Sequence, residues 1–489
     1  MQIEERNSGS PIAARHQDNE NSYKWMVLLM AAVGAFMMPL DVSIVSVALP
    51  SISTELGMSY GSAIWVPTAY LAAVTVLLLS IGRLSDMRGR KPLFISGFAI
   101  FTLASFLCSI SSNGAQLIAF RIIQGAGAAF VGATSVAIVT DVFPGRERGK
   151  ALGLTVMGGY LGLTAGPSIG GLLTSAVGWR SIFYINIPIG LFVVLLSLWK
   201  LRESTILTPK RFDLPGAFSF SLGIIPLLLA LTLGGIYGWD SLFTVSLLAT
   251  ASVFLVLFVL IERKKGEQAM LHMDLFSKNR LFAAGNFSAL FAYIAFFGVS
   301  FFISFYLQRA LGESALQAGV ILFVMPVAMV VLSPVSGWLS DKIGSRILSS
   351  LGMALICAGL FWTSTLSLTS TSLDVALRLF VLGFGMGLFS SPNTSSVMGS
   401  VEKSHLGVAS GTLGTMRVLG QSMSLAMMGA VFATFISSSA LSALFIGVNP
   451  STLAVANVAF VEGMQSAFII SAIIAVIGLV ISLARGTGK

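Results

Sequence analysis

Long apolar stretches alternate with short polar segments along most of the chain. A helix needs about 20 predominantly apolar residues to cross a bilayer, and fourteen stretches of the sequence meet that requirement. Backbone groups inside lipid must pair within their own segment, so each stretch is predicted to be a transmembrane helix. The predicted spans are 24–47, 62–82, 92–110, 116–139, 151–174, 181–200, 214–234, 242–262, 281–306, 316–338, 347–367, 374–393, 407–434 and 463–484. The pattern therefore predicts an all-α membrane protein with fourteen transmembrane helices.

A ten-residue pattern occurs twice, at 82–91 and again at 337–346. Gly, Leu, Ser, Asp and Gly recur at identical spacing, and each copy ends in a cation. The copies close the second and the tenth spans, an offset of eight, whereas two six-helix halves in direct succession would give six. A weaker echo between 121–127 and 378–385 has the same offset. Many transporters are built from two repeated bundles, so we predict two six-helix bundles separated by two extra central helices.

These boundaries divide the chain into a tail, two bundles and an insertion. Residues 1–23 are polar and are expected to form a disordered cytosolic tail. Residues 24–200 form the N-terminal six-helix bundle, 201–280 hold the two inserted helices with flanking cytosolic linkers, and 281–489 form the C-terminal bundle. The long apolar segment near 435–462 is predicted to be a hairpin loop on the outer face, although an ordinary packed loop fits it equally well.

Composition excludes a soluble protein. Hydrophobic residues make up 55% of the chain and charged residues only 10%, against about 25% charged residues in a typical soluble domain. The net charge of +9 does not indicate nucleic-acid binding, because the cations cluster in alternate loops. With both termini placed in the cytosol, only Arg180 and Arg309 fall in outer loops, as the positive-inside rule requires. We therefore predict a monomeric, multi-pass protein of a prokaryotic cell (plasma or inner) membrane, surrounded by lipid and without a nucleic-acid partner.

Metal, nucleotide and disulfide chemistry are not expected. Cys108 and Cys357 both lie inside apolar spans, where a buried thiol behaves as a small hydrophobe and a disulfide framework does not belong. The chain has three histidines, which lie in the tail or near the inner face, and no nucleotide-binding glycine-lysine loop. We expect no metal, no cofactor and no enzymatic activity.

Four segments carry a resemblance to a known family. The repeat at 82–91 fits a loop signature, 121–127 fits a signature of the fourth helix, and 40–50 fits a signature of the first helix. The glycines and the proline of 153–171 fit the antiporter signature of the fifth helix. The chain resembles the major facilitator superfamily and, within it, the fourteen-helix drug:proton antiporter branch. The resemblance implies the major facilitator fold, multidrug efflux by proton-coupled antiport, and a role for Arg121 in proton transfer.

Asp41 is the only carboxylate that lies well inside a predicted span. A charge at membrane depth costs about 3 kcal/mol or more. Burial raises the pKa of a carboxyl group and a nearby cation lowers it, so an acid balanced between the two effects exchanges protons near neutral pH. Counting 1.5 Å per residue places Asp41 and Arg121 at the same depth, about 8–9 Å below the outer edge. They are the predicted proton-coupling pair. A static packing carboxylate, and an arginine bound to backbone carbonyls, are the alternatives.

The substrate cavity is expected to be lined by soft, large side chains. Such side chains accept several apolar shapes, and the chain contains 20 Met and 35 Phe. Most of these must face lipid or the core, so we select residues that flank Asp41 or lie beside polar positions. Aromatic faces hold cations, whereas the deep arginine of the set favours an anion. The candidate cavity residues are Met37, Met38, Trp65, Tyr70, Gln124, Asn186, Tyr293, Asn393 and Arg417.

Conformational gating is assigned to small residues of the fifth span and to the two repeated loops. Small residues let another backbone approach closely, and Pro167 removes a helix donor and favours a kink. Acids in the loops are expected to pair with cations only while the inner gate is shut. Generic helix packing and a topogenic charge cluster are the alternatives. The candidate gating residues are Gly82, Asp86, Arg90, Gly162, Gly166, Pro167, Gly170, Gly171, Asp341 and Arg346.

The leading hypothesis is a secondary transporter that moves protons inward and small amphipathic, cationic drugs or toxic compounds outward. A single deep carboxylate predicts one proton for each monovalent cation, an exchange that moves no net charge. A second hypothesis keeps the fold and makes the cargo a metabolite, a lipid or a siderophore, bound through Arg417 and Arg378. A third hypothesis is a membrane scaffold or sensor, which would need neither Asp41 nor the antiporter glycines.

Overall fold

The structure, a computed structural model, describes residues 11–203, 212–266, 269–271, 273–402, 406–435 and 450–486. These residues are almost entirely helical, and they contain no β-strand. The helices are α1 (Pro11–Glu55), α2 (Tyr60–Arg88), α3 (Arg90–Ser109), α4 (Gly114–Val142), α5 (Gly145–Ala176), α6 (Ser181–Tyr184), α7 (Asn186–Lys200), α8 (Leu214–Tyr237), α9 (Leu242–Lys265), α10 (Met273–Lys278), α11 (Arg280–Phe296), α12 (Val299–Phe305), α13 (Ala315–Ile343), α14 (Ser345–Thr363), α15 (Ser372–Gly399), α16 (Leu406–Phe435) and α17 (Pro450–Ala484).

Each of the fourteen predicted spans coincides with helical structure. Within the described residues, twelve spans are long and apolar enough to cross a membrane. Helices α5 and α16, of 32 and 30 residues, cover the other two predicted spans. The sixth span is broken between α6 and α7, because Pro188 has no N–H to donate to the carbonyl of Tyr184. The ninth span consists of α11, α12 and a π-helical turn, Tyr306–Ala310.

Two predicted irregular segments are partly helical. Helix α1 begins at Pro11, inside the expected disordered tail. A proline suits the first turn of a helix, and Ala13, Ala14 and Arg15 are strong helix formers. Helix α17 begins at Pro450, inside the expected outer loop. Residues 1–10 and 436–449, which make up the rest of the tail and most of that loop, lie outside the described residues.

The helices pack as two bundles with a hairpin beside them. Helices α1 to α7 pack against one another in the N-terminal half, and α11 to α17 in the C-terminal half. Helices α8 and α9 form a hairpin that packs on α2 of the first half and on α16 of the second. The architecture is the major facilitator fold with two extra central helices.

Matching glycines place the two halves in register. Gly89 links α2 to α3 with φ 89°, and Gly344 links α13 to α14 with φ 90°, a conformation that side chains rarely adopt. Gly127 contacts the backbone of α3, and Gly385 contacts the backbone of α14 in the same way. Helices α2, α3 and α4 therefore correspond to α13, α14 and α15, which confirms the offset of eight spans.

The halves touch at their outer ends and at mid-height. We name the ends by the predicted orientation, so the outer end is the one at which α1 finishes. There, Gln308 Nε2 donates to the carbonyl of Val47 at 2.9 Å, and Arg309 Nη2 donates to the carbonyl of Pro50 at 2.9 Å. At mid-height, the hydroxyls of Thr75 on α2 and Ser422 on α16 lie 3.0 Å apart. The outer entrance between the halves is closed.

The inner ends of the same helices border open space. A Cβ added at Gly82 on α2, at Gly153 on α5, or at Gly411 or Gly414 on α16 would meet no atom within 4 Å. Helices α2, α5 and α16 are three of the helices through which the halves touch. The outer ends of the halves are thus in contact, and from the open space at the inner ends we infer a cleft between the halves, which we call the central cleft.

Candidate functional site

Asp41 and Arg121 form a buried ion pair at the centre of the N-terminal half. Both side chains are completely buried, and Arg121 Nη1 contacts Asp41 Oδ2. Gln124 Nε2 donates to Asp41 Oδ1 at 2.8 Å, and Asn186 Nδ2 donates to the same oxygen at 2.9 Å. The carboxylate thus accepts three hydrogen bonds, two from α4 and one from α7. The structure brings together four residues that the sequence analysis selected.

Arg121 holds this pair to the rest of the half. Its Nε donates to the carbonyl of Val66 on α2 at 3.1 Å, and its Nη1 also donates to Gln124 Oε1 at 2.6 Å. The ring of Tyr70 lies 4.3 Å from the guanidinium carbon, within the range of a cation–π interaction. Arg121 therefore serves both roles that the sequence left open, because it pairs with a carboxylate and also binds a backbone carbonyl.

Polar atoms without partners surround the pair. Arg121 Nη2, the Tyr70 hydroxyl and Asn186 Oδ1 are buried and have no hydrogen-bond partner among the residues that the structure describes. Ser105 Oγ, which the sequence analysis did not select, accepts from Gln124 Nε2 at 2.8 Å. Nothing in the local pattern distinguished it from the other serines of the spans. The site thus has spare donors and acceptors beside a carboxylate whose own oxygens are occupied.

The other residues predicted for the cavity lie in different places. Met37 is buried in the core of the N-terminal half, Met38 lies against Gly132 of α4, and Trp65 is half-buried against the same core. Asn393 is also buried: its Nδ2 donates to the carbonyl of Gly285 at 3.0 Å. These contacts lie inside one half each, so the structure places Met37 and Asn393 in the packing of the halves rather than on a cavity wall.

Arg417 and Tyr293 are half-buried beside the central cleft. Arg417 Nη2 donates to Thr394 Oγ1 on α15, and the guanidinium carbon lies 6.0 Å from the ring of Tyr293 on α11. Tyr160 of α5 reaches across from the N-terminal half, with its hydroxyl 2.7 Å from Ser390 Oγ. Sequence reasoning missed Tyr160, Ser390 and Thr394, because the pairing of α5 with α15 cannot be read from one chain.

Arg378, which the sequence analysis assigned to the anionic-cargo alternative, forms its hydrogen bonds with residues near the outer end of its own helix. Its guanidinium donates to Asp374 at 2.8 Å and to the carbonyl of Trp362 at 2.7 Å. The side chain is 8% exposed. The structure therefore gives Arg378 a capping role at the outer end of the C-terminal half and no free donor face.

The predicted gating glycines form two different seams. Gly162, Gly166 and Gly170 bring α5 against the backbone or side chains of α1, inside the N-terminal half. Gly171 lies on the other side of α5, where an added Cβ would be 2.5 Å from the carbonyl oxygen of Ala315 on α13. Gly319 of α13 in turn approaches the carbonyl of Pro167. Of these two seams, only the one between α5 and α13, at Pro167 and Gly171, joins the two halves.

The predicted charge pairs of the inner loops fall partly outside the described side chains. The side chains of Asp86 and Asp341 are outside that part of the structure. Arg90 pairs with Asp141 of α4 and donates to the carbonyl of Ala137 at 2.5 Å, so it ties α3 to α4. Arg346, in the second copy of the repeat, lies near Arg485, which follows α17. Burial and the charge of Arg346 lower the pKa of Arg485 to about 10.

The structure adds a buried acidic cluster that the sequence analysis missed. Glu262 of α9 and Asp213, which precedes α8, are each 1% exposed. Glu262 Oε2 accepts from the N–H of Leu271 at 2.7 Å, and Asp213 pairs with Lys265. Both acids lie at the end of a predicted span or just outside it, where the sequence analysis did not look for buried carboxylates. Glu262 was passed over because it stands next to a run of cations that marks the end of a span.

Comparison with known proteins gives the same fold and family. The family model described as the Major Facilitator Superfamily matches residues 31–213 and 214–425. The riboflavin transporter RibZ of Clostridioides difficile is 35% identical over 452 residues, which are 91% of this chain and 97% of the relative. The multidrug transporter protein MdtP of Bacillus subtilis is 33% identical over 85% of this chain and 76% of its own length.

A solved structure extends the likeness to three dimensions. A bacterial homologue of the human lysosomal transporter Spinster, in an inward-facing and unoccupied conformation, covers 95% of this chain and 97% of its own with a TM-score of 0.68. Its sequence identity is 16%, so this likeness concerns the fold alone. The repeat, the fourteen spans and these matches lead to one conclusion: the chain belongs to the major facilitator superfamily, in the branch that contains multidrug efflux transporters.

Proposed function

We propose that this protein exports small amphipathic compounds across the cell membrane in exchange for protons, with Asp41 as the proton carrier and Arg121 as its partner. Both termini would lie in the cytosol, and protons would enter from the outer side. The observation that carries the proposal is the fully buried Asp41–Arg121 pair, enclosed by Gln124 and Asn186. An intramembrane ionisable pair is a functional site by default.

Protonation of Asp41 would weaken the site in a defined way. A neutral carboxyl group loses most of its attraction for Arg121, and a charge-assisted hydrogen bond is about twice as strong as a neutral one. The released Arg121 would still hold Val66 on α2 and stack on Tyr70. The contacts that change are those of α1 with α4 and α7, so a proton would alter packing inside the N-terminal half.

Access would alternate through the seams between the halves. In this conformation the outer contacts of Gln308 and Arg309 are formed and the inner cleft is open. The opposite state would break the outer contacts and close the inner loops, where Asp86, Arg90, Asp341 and Arg346 lie. We assign the gating role to these contacts and to the Pro167–Gly171 segment of α5.

The proposal does not extend to a preference for cations. A cationic cargo needs a carboxylate that it can reach, and Asp41 is completely buried with three donors on its oxygens. A dedicated metabolite exporter is the second candidate, and the 35% identity to a riboflavin transporter favours it. A panel of drugs and riboflavin, tested for accumulation in cells with and without the protein, separates the two.

The variant Asp41→Asn tests the proton-coupling role directly. In proteoliposomes with a pH gradient, we expect the wild type to accumulate a fluorescent substrate and Asp41→Asn to lose gradient-driven accumulation while still binding the compound. Asp274→Asn is the matched control, because Asp274 is an exposed acid paired with Lys278 in an i,i+4 surface pair. Undiminished gradient-driven export by Asp41→Asn would refute the proposed function.

A further inference from the structure

Arg417 is a deep cation without an acidic partner. It lies eleven residues into α16, about 16 Å along the helix from its inner end. Arg121 and Arg378, which also lie in bundle helices, each form an ion pair with an aspartate. Within the described residues Arg417 has no ion pair, its Nη2 binds only the hydroxyl of Thr394, and its Nε is buried without a partner. Its charge is therefore left uncompensated at a depth where charge is costly.

The surroundings of Arg417 supply hydroxyl groups and rings rather than acids. Thr394 and Ser390 lie one turn apart on α15, and Tyr293 of α11 places its ring 6.0 Å from the guanidinium carbon. Tyr160 of α5 contacts Ser390 from the opposite half at 2.7 Å. The hydroxyl of Thr394 already donates to the carbonyl of Ser390 at 2.7 Å, so the donor for an anion is the guanidinium group, which matches a carboxylate or a phosphate with two parallel hydrogen bonds. Residues from both halves thus converge on one position that suits a negative charge.

This position is accessible, whereas the acid of the N-terminal half is not. Arg417, Tyr293 and Tyr160 are all half-buried, and the cleft beside them widens at Gly411 and Gly414, on the inner part of the same helix α16. Asp41 is completely buried in the same conformation. A compound entering from the inner end therefore meets a cation first.

A purely structural role does not explain the contacts of Arg417. Arg378 shows what such a role looks like in this chain, with an aspartate, a backbone carbonyl and a hydroxyl all within hydrogen-bond distance. Within the described residues Arg417 has one hydroxyl partner, on Nη2, and its Nη1 forms no hydrogen bond. Nη1, which unlike Nε is not fully buried, is the donor left for a ligand.

We propose that Arg417 binds the acidic group of an organic anion, with Thr394, Tyr293 and Tyr160 around it, and that the cargo of this protein carries such a group. The inference deepens the proposed function and rests on it, since the central cleft is taken as the route of the cargo. It replaces the cationic cargo of the sequence analysis with a carboxylate- or phosphate-bearing compound.

Two dyes that share a ring system and carry opposite charges test the proposal. Fluorescein is an anion at neutral pH and rhodamine 6G is a cation, and both are built on a xanthene ring system. Fluorescence polarisation with the purified full-length protein, without any proton gradient, measures the affinity for each. We expect the wild type to bind fluorescein about tenfold more tightly than rhodamine 6G, the size of effect typical of a charge-assisted pair.

Variants of Arg417 test whether this residue causes the preference for fluorescein over rhodamine 6G. Arg417→Gln should weaken fluorescein binding about tenfold and leave rhodamine 6G binding unchanged or stronger, while Arg417→Lys should keep part of the preference because the charge remains. Arg202→Gln is the control for net charge, since Arg202 is exposed at the inner end of α7. Unchanged rhodamine 6G binding shows that a variant is folded.

Two results would overturn the inference: a wild type that binds rhodamine 6G at least as tightly as fluorescein, or an Arg417→Gln variant with the wild-type ratio of the two affinities. The wild-type ratio decides the matter even if a variant fails to fold. The assay contains no gradient, so it is independent of Asp41. Failure of the proposed function would instead appear as export that Asp41→Asn leaves intact, with the dye ratio unaffected.

Discussion

The oxygens of Asp41 accept hydrogen bonds from side chains of two other helices, and this explains how a carboxylate remains charged with no access to water. Arg121 and Gln124 approach from α4 and Asn186 from α7. A hydrogen bond to a charged group contributes about 1.5–3 kcal/mol, and its loss leaves that charge less stable. Each donor on this carboxylate therefore helps to hold α1 against α4 and α7.

Removing one donor should weaken proton-coupled transport. In Asn186→Ala the Asp41 carboxylate loses one of two donors on Oδ1, and with it a contact between α1 and α7. We expect the rate of gradient-driven transport to fall about tenfold, or about 1.4 kcal/mol, near the lower end for a hydrogen bond to a charged group. Transport in proteoliposomes at a fixed pH gradient measures this rate.

Asn286→Ala is the matched control for that loss. Asn286 is equally buried, and its Oδ1 also lacks a partner within the described residues, but its Nδ2 binds the carbonyl of Phe282 in its own helix. The control should lower stability without a tenfold loss of transport. An equal loss of transport in both variants, or full transport by Asn186→Ala, would contradict the assignment.

Counting residues from the membrane edge predicts which charged side chains meet across helices. Asp41 and Arg121 could be matched because each span fixes a height and a deep charge requires a partner. Polar but uncharged residues carry no such requirement. Asn186 donates to the carboxylate of the ion pair, whereas Asn393 binds a backbone carbonyl and accepts from Arg485 Nη1 in the other half. The sequence around the two asparagines gives no means of separating these roles.

At the scale of helices, the tight approach of α5 and α13 closes the outer end. Gly171→Ala places a methyl group against the carbonyl of Ala315, which must move away. We expect this change to separate the outer ends and to shift the population toward the outward-open state. Spin labels on Val177 and Leu373, both exposed at the outer ends of α5 and α15, report the change as a longer distance.

Gly153→Ala provides the comparison on the same helix. Gly153 borders open space at the inner end of α5, so the added methyl group meets nothing within 4 Å. The label distance should then equal that of the wild type. Equal distances in the Gly171→Ala and Gly153→Ala variants would mean that the seam does not hold the outer end shut.

The hairpin of α8 and α9 is anchored by its buried acid. Glu262 accepts the N–H of Leu271, in the segment that leads on to the C-terminal half. Glu262→Ala leaves that N–H buried without a partner, at a cost of about 1–3 kcal/mol, so we expect a lower melting temperature in detergent. Glu262→Gln keeps an acceptor oxygen and should lose less; an equal loss in the two variants would count against the anchor.

Helix positions were largely predictable, and their interruptions were only partly so. The length of an apolar stretch can be read from one segment alone, so each span was found. The ends of the helices differ from the predicted ends by several residues. The seam of Gly162, Gly166 and Gly170 was assigned to gating because its pattern resembles a signature, yet it packs against α1 within one half. Which neighbour a small residue faces depends on the arrangement of all the helices, and one sequence does not contain it.

For the whole molecule, cargo charge determines which gradients drive export. One proton moving in and one monovalent anion moving out transfer two charges, so a potential of 100 mV contributes about 4.6 kcal/mol at 2.3 kcal/mol per charge. Exchange of one proton for a monovalent cation transfers none. The proposed anion site at Arg417 therefore predicts that the membrane potential drives export of the anion.

Valinomycin and potassium gradients test this at zero pH gradient. We expect fluorescein flux from proteoliposomes to rise with an imposed potential and rhodamine 6G flux, if it occurs, to stay constant. The Asp41→Asn variant, which carries no proton, should show a weaker dependence on potential for fluorescein. Fluorescein flux that is the same at every potential would exclude the proposed stoichiometry.

The inserted hairpin makes the molecule asymmetric with respect to the surrounding lipid. Because α8 packs on both α2 and α16, with α9 against its other side, the hairpin covers one flank of the gap between the two moving bodies. On the opposite flank, where α5 packs on α13, no further helix of the described residues covers the gap. We expect a compound dissolved in the bilayer to enter sideways only on that flank, below the tight contact of Pro167 with Gly319. Bulky side chains placed there should slow lipid-borne cargo and leave water-borne cargo unaffected.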